Sequence, residues 1–293
     1  MTKFVRQLLN RVGFDISRTD NGKPRWSGIA NDYYPINPHP RWGHGQRSHP
    51  QIEQLLRLQQ EDFKKLIADF GKYQTLFSSI PFETSSPTLP FWNNIWFSTF
   101  DAASLLYFIS ERSPKTYLEI GSGLSTKFAR AAISNANLPT KIVSIDPHPR
   151  SEIDGICNSH QEATRRSRSL DIRQSERYGY RFFDGSHRIF TNSDTTVFLL
   201  EVLPRLERGV LVHFHDIFWP DDYTPDWNLR FYSEQYALGA MILGGMSRYR
   251  IVLPNYFVST NPDISPLVQQ LGIPQDILAR TSQAFPSGSR YFD

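Results

Sequence analysis

The run Thr116-Tyr117-Leu118-Glu119-Ile120-Gly121-Ser122-Gly123 constrains this chain more than any other stretch. A short, mostly apolar segment of strand character ends on two glycines, and helical spacing resumes at once over 124–133. Lys141-Ile142-Val143-Ser144-Ile145-Asp146 then reads as a second strand. Strand, glycine turn, helix, strand is a βαβ unit, and its right-handed crossover makes the two strands parallel. A parallel pair needs further strands and crossover helices, because such sheets are covered on both faces.

The downstream sequence supplies them. A strand ends at 181–184, a helix covers 194–205, a strand 209–216, a helix 230–244 and a strand 249–253, while 287–292 is placed to close the sheet. The expected fold class is α/β: a doubly wound, mostly parallel Rossmann-like sheet with helices on both faces. A helical and irregular N-terminal extension precedes it. Residues 21–50 are rich in Pro, Gly, Asn, His and Trp without periodicity, 51–73 reads as one amphipathic helix, and Asp101 is placed to start another that Pro114 stops. The division is set at 1–95 for the extension, with a lid role, and 96–293 for the ligand-binding domain.

Bulk properties exclude several partners. Hydrophobic residues at 39% and charged residues at 21% suit a folded globule. Against 29 acids, 32 Lys and Arg leave a net charge of +3, which gives no electrostatic footprint for nucleic acid or an anionic membrane. The lone Cys157 rules out a disulfide framework and points to a reducing compartment. With no signal-peptide core and no uncharged stretch of membrane-spanning length, the expected location is cytoplasmic.

The glycine turn is where a ligand is expected. Glycines between strand and helix let a ligand approach the main chain closely. Asp146 ends the following strand, where a carboxylate can accept hydrogen bonds from both hydroxyls of a ribose. A dinucleotide fingerprint has a third glycine where this chain has Thr126. Glu119 would repel a pyrophosphate but helps hold a cationic amino-acid group. Both points favour S-adenosylmethionine (SAM) over a nicotinamide cofactor.

Asp184 and Asp216 each terminate a strand, and the carboxyl ends of the strands form the crevice of an open α/β sheet. His187 and His215 accompany them. Two carboxylates and two imidazoles suit a divalent metal or proton abstraction from a hydroxyl. His213 shares a strand face with His215 and reads as a half-buried histidine. Trp219, Trp227 and Tyr232 form an aromatic stretch that could cover a sugar or aromatic acceptor, and Trp92, Trp96 and Phe97 a lid or core packing.

The residues from Tyr117 to Thr126 resemble the first motif of class I SAM-dependent methyltransferases, and Ser144-Ile145-Asp146 resembles the second. Asp184-Gly185-Ser186-His187, Leu203-Pro204-Arg205-Leu206 and the run from Gly209 to Asp216 are similar to the branch that includes macrocin-type sugar O-methyltransferases. The likeness spans about 96–253. It implies that Glu119, Gly121, Ser122, Gly123, Ser125 and Asp146 hold the cofactor. It also implies a magnesium site at Asp184, His215 and Asp216, with His187 as base and Asp184 and Asp216 as its catalytic companions. His215 stands where the branch has an acid, which departs from an oxygen-only magnesium site.

The expected activity is O-methylation of a small-molecule acceptor. Two alternatives stand beside it. One is a zinc- or manganese-dependent hydrolase using Asp184, His187, His213, His215 and Asp216; the other is an inactive methyltransferase-like binding protein. The second alternative arises from residues 157–181, which offer almost nothing apolar where the sheet needs a strand. Codons can be chosen for 172–181 that, one base over, encode Phe-Asp-Lys-Val-Asn-Gly-Met-Asp-Ile-Val, a strand leading into Phe182. This suggests a frame-shifted stretch that would impair the product.

Overall fold

The computed structural model describes residues 19–20, 23–24, 38–147, 149, 153–161, 179–274 and 290–292. Most of the polar segment, 162–178, lies outside them. The chain divides into two compact units, Met1–Pro38 and His39–Asp293. The first is described through a two-residue antiparallel ladder, β1 (Thr19–Asp20) with β2 (Lys23–Pro24). All that follows concerns the second.

The amphipathic stretch at 51–73 forms two helices rather than one. Helix α1 (Pro50–Arg57) opens with His49 accepting from the Ile52 amide, and the chain breaks at Leu58 before α2 (Gln60–Phe70) and a 3-10 turn. With α3 (Gln74–Ser79) they bury Ile52, Leu56, Phe63, Ile67, Phe70 and Phe77 in the same core as the sheet. The helical part of the expected extension is therefore packed into the main unit.

Helix α4 (Thr99–Arg112) starts one turn ahead of the expected position. Ser98 caps it, accepting from the Asp101 amide and donating to the Asp101 carboxylate. Its residues are buried from Thr99 to Ser110, so it is a core helix and not a surface one. Strand β3 (Thr116–Ile120), α5 (Leu124–Asn135) and β4 (Lys141–Ile145) complete the βαβ unit read from the sequence.

A short strand, β5 (Ser159–Gln161), does form in the polar segment and pairs with β4 at the sheet edge. Next come β6 (Tyr180–Phe183) and α6 (Asp194–Val197), which continues as a π turn and a 3-10 turn to Arg205. Pro204 cannot donate a backbone hydrogen bond, and the regular helix expected over 194–205 is replaced by these irregular turns. Strand β7 (Leu211–Phe214), a 3-10 turn (Pro225–Arg230), α7 (Glu234–Leu243), β8 (Ile251–Pro254), α8 (Asn255–Thr260), α9 (Ser265–Gln269) and β9 (Arg290–Phe292) follow.

The strands lie in the order β5-β4-β3-β6-β7-β9-β8. Pairing is parallel from β5 through β7, and β9 runs antiparallel to both its neighbours. The expected closing strand thus sits inside the sheet. Every residue of β6 and of β7 is buried, and alternate residues point to opposite faces, so both faces are covered. One face stacks Tyr117, Tyr180, Phe182 and His213; the other stacks Phe183, Phe214 and Phe198 from the π turn. Among the described residues no helix is long and apolar enough to cross a membrane.

Candidate functional site

Strand order reverses at β3: β4 lies on one side of it and β6 on the other, which opens a crevice at the carboxyl ends. Register puts Ile120 level with both Ile145 and Phe183, and Phe183 level with Phe214. The residues that follow these four are Gly121, Asp146, Asp184 and His215, so all four line one rim.

Gly121 has φ +80°, a left-handed value that favours glycine, and a Cβ there would run into the Asp184 carbonyl. The turn is tied to the next strand. Gly121 donates its amide to the Ile145 carbonyl at 3.1 Å, and Ser122 donates amide and hydroxyl to Asp146 Oδ2 at 2.8 and 3.2 Å. The two motif segments therefore meet. Beside them lies a cavity of about 390 Å³ lined by Trp96, Phe97, Ser122, Gly123, Ser125 and Asp184, among others.

Glu119 lies behind this turn, fully buried. It accepts from the hydroxyls of Tyr117 (3.1 Å), Ser125 (3.2 Å) and Thr126 (2.5 Å). Burial pushes its carboxyl up to about 8 despite those three donors. Its carboxylate is spent on holding the turn to the first turn of α5. Thr126, which replaces the dinucleotide glycine, also accepts from the Gly123 amide at 3.1 Å.

The acid–histidine cluster occupies the ends of β6 and β7. His187 Nε2 lies 3.1 Å from Asp184 and 3.6 Å from Asp216. His215 Nδ1 lies 3.4 and 3.5 Å from the same two carboxylates. His187 and Asp216 both have φ +57°, a conformation costing on the order of 1–3 kcal/mol for such residues, and strain of this kind concentrates at functional sites.

Two acids missed in the sequence reading complete the cluster. Glu234, fully buried at the start of α7, contacts His187 Nδ1 through Oε1 at 2.5 Å. Asp101 of α4 lies 3.7 Å from His215 Nε2 and accepts from Asn255 at 2.7 Å. An acid in the first turn of a helix satisfies the helix dipole, so neither carried a separate signal in the sequence.

Burial alone would lower the imidazole of His187, but Glu234, Asp184 and Asp216 outweigh it and hold it well above its usual range. For His215 the same contest, with Asp216 and Asp184 prevailing, ends at about 9. Asp184 is held well below the carboxylate range: burial is outweighed by the charge of His215 and the hydrogen bond from His187. Burial raises Asp216, with Asp184 and Asp101 adding to it. Without a cation, the cluster holds protons between its carboxylates.

Other sequence expectations fall elsewhere. His213 is fully buried on the core face of β7, its Nδ1 3.1 Å from the Tyr180 hydroxyl, and burial keeps it neutral. Trp92 is a core residue, packed on Phe128 and donating to the Phe77 carbonyl. Trp219 and Trp227 are buried too, while Tyr232 lies against His187 with ring centres 4.5 Å apart. Lys127 lines the cavity and was not singled out. One ligand atom from each of Asp184, His187 and Asp216 lies within 4.8 Å of the other two.

An α/β sheet with a ligand-sized cavity at its strand switch point is the class that this rim defines. Residues 118–217 match a family model described as a methyltransferase domain. Among solved structures it is similar to an O-methyltransferase from Bacillus cereus in complex with S-adenosylhomocysteine (SAH), at 14% identity over 63% of this chain and 90% of that one, TM-score 0.38. It is similar to the SAH-bound methyltransferase PaMTH1 of Podospora anserina, at 13% identity over 68% and 89%, TM-score 0.36. The methyltransferase MycE of the mycinamycin pathway, in complex with Mg, SAH and mycinamycin VI, is 20% identical over 51% of this chain and 43% of its own, TM-score 0.33. No curated protein matches.

Proposed function

We propose that this chain is a SAM-dependent methyltransferase that acts on a hydroxyl of a small-molecule acceptor, with His187 as base. The observation that carries the cofactor side is the contact between the glycine turn and Asp146 beside an open cavity. SAM, when bound, supplies an electrophilic methyl group on a sulfonium. Gly121 and Gly123 let its amino-acid portion approach the main chain, and Asp146 receives the ribose hydroxyls. Glu119 and Ser125 keep the turn in shape. Where a dinucleotide fingerprint has its third glycine, Thr126 places a side chain bonded to the buried Glu119.

A neutral hydroxyl becomes a competent nucleophile only when its proton is drawn off. Glu234 fixes His187 from the Nδ1 side, so Nε2 faces Asp184, Asp216 and the space between them. This orients the imidazole as a carboxylate orients the base of a catalytic triad. Its three carboxylate neighbours hold it protonated, so it would serve as base only once a cation on Asp184 and Asp216 displaced that proton. Of the two possible metal sets, the trio Asp184, His187 and Asp216 would consume the base. The set Asp184, His215 and Asp216 leaves it available, and His215 Nδ1 is buried without a hydrogen bond, as a ligand atom awaiting a cation would be. Two oxygens and one nitrogen fit manganese or another first-row ion better than magnesium. A divalent cation held there would lower the acidity barrier of the acceptor hydroxyl.

The working compartment we propose is the cytoplasm, on the single cysteine. The deciding experiment is calorimetric titration of the purified protein with SAH. Binding that disappears in Asp146→Ala supports the reading; a folded protein that takes up metal but not SAH favours the hydrolase instead.

A further inference from the structure

Two arginines stand on the rim of the acid–histidine cluster without a part in it. Arg188 follows His187 directly, and Arg230 ends the 3-10 turn after β7. Their guanidinium carbons lie 5.8 and 5.6 Å from the centre of one ring, that of Tyr232. That ring in turn rests on His187, 4.5 Å between centres. Arg230 also stacks over Trp227 at 4.1 Å.

The two loops are fastened to each other. Arg188 Nε donates to the Arg230 carbonyl at 2.7 Å, the Ser233 amide to the His187 carbonyl at 2.7 Å, and the Ile189 amide to Ser233 Oγ at 2.8 Å. The geometry between the arginines and the imidazole is thereby fixed. Among the described residues, neither guanidinium forms an ion pair with a carboxylate. Two cations kept this near one aromatic ring repel each other unless an anion joins them. A guanidinium stacked by its face keeps its edge for forked hydrogen bonds to an oxyanion. Their sequence neighbours Phe190 and Leu229 are 55% and 80% exposed, which adds apolar surface beside the charge.

We propose that Arg188 and Arg230 form an oxyanion subsite for the methyl acceptor, which is a hydroxyl compound bearing a carboxylate or phosphate. The inference rests on the methyltransferase reading above and adds the class of acceptor. Both guanidiniums and the imidazole lie within 5.8 Å of the Tyr232 ring centre, and on that spacing charge and reacting hydroxyl lie about one ring apart in the acceptor. A hydroxylated aromatic acid has that spacing.

The test titrates the full chain, with and without SAH, with three probes: 3,4-dihydroxybenzoate, 4-hydroxyphenyl phosphate and the neutral methyl ester of the first. Binding is followed by saturation-transfer NMR, and methyl transfer by label from SAM. At least one anion should bind about tenfold more tightly than the ester, and high salt should erase the difference. The preferred anion tells carboxylate from phosphate. The double variant Arg188→Gln, Arg230→Gln should lose the preference while circular dichroism and SAH affinity stay unchanged. Equal binding of all three probes to the wild type overturns the proposal without any variant, and so does a folded double variant that keeps the preference. Failure of SAH to bind the wild type would instead sink the methyltransferase reading, and the anion preference would still be measured without it.

Discussion

Replacing Glu119 by glutamine isolates the energetic consequence of a carboxyl buried behind the cofactor turn. Glu119 is pushed from an ordinary 4.5 up to about 8 by burial, so the folded state binds its proton more tightly than the unfolded chain does. A raised carboxyl contributes stability that is fully present below pH about 4.5 and is lost as pH climbs through about 8. At about 1.4 kcal/mol per unit of pKa, the loss across that window is on the order of 5 kcal/mol. Glutamine keeps an acceptor for the hydroxyls of Tyr117, Ser125 and Thr126, which can also rotate to accept from its amide. Glu119→Gln should therefore match the wild type within about 1 kcal/mol at pH 5 and overtake it progressively up to about pH 8, above which the gap stays constant. Urea unfolding of both proteins at intervals from pH 5 to pH 9 gives the two curves, and their difference cancels the shared contribution of the histidines. Curves that run parallel would refute the reasoning, because they would mean that Glu119 ionises as easily folded as unfolded.

Four shorter predictions follow from the same rim. Asp146→Ala should weaken SAH binding by at least about tenfold in calorimetry, since it loses the acceptor that Ser122 and the ribose share. Gly121→Ala should leave little folded cofactor-binding protein, because the added Cβ meets the Asp184 carbonyl at a left-handed φ; thermal unfolding unchanged from wild type would contradict this. His187→Asn should lower kcat by about 10²–10⁴ with SAH affinity intact, and an unchanged kcat removes it from the chemistry. Chelation should depress transfer and manganese should restore it more fully than magnesium; Asp216→Asn should abolish that response.

How much of this was legible depended on whether the signal was contiguous. The turn at Gly121–Gly123 and the acid at Asp146 were readable because strand, turn and acid follow one another along the chain. Asp184, His187 and Asp216 were readable because strand ends are predictable and chemistry-bearing residues at strand ends share one rim. Asp101 and Glu234 were not, since each sits at a helix start where an acid needs no further reason. Strand β5 was hidden because an edge strand held by backbone pairing alone need not be apolar, and Ser159–Gln161 carries no hydrophobic run. Arg181 shows the converse: it is buried in β6 at 1% exposure, at a place where the alternative reading frame would put valine. Sequencing the coding DNA tests that frame; no apolar strand in any frame across 157–181 would dispose of it.

Among the described residues, β8 pairs with the sheet through β9 alone, whose three residues come from much further along the chain. Until that late segment threads between them, β7 and β8 both present open ladder edges. The right-hand side of the domain thus waits on a keystone. Nascent or trimmed chains lacking Arg290–Phe292 should assemble the cofactor half yet remain adhesive along β7, prone to pairing with a second copy in place of their own missing strand.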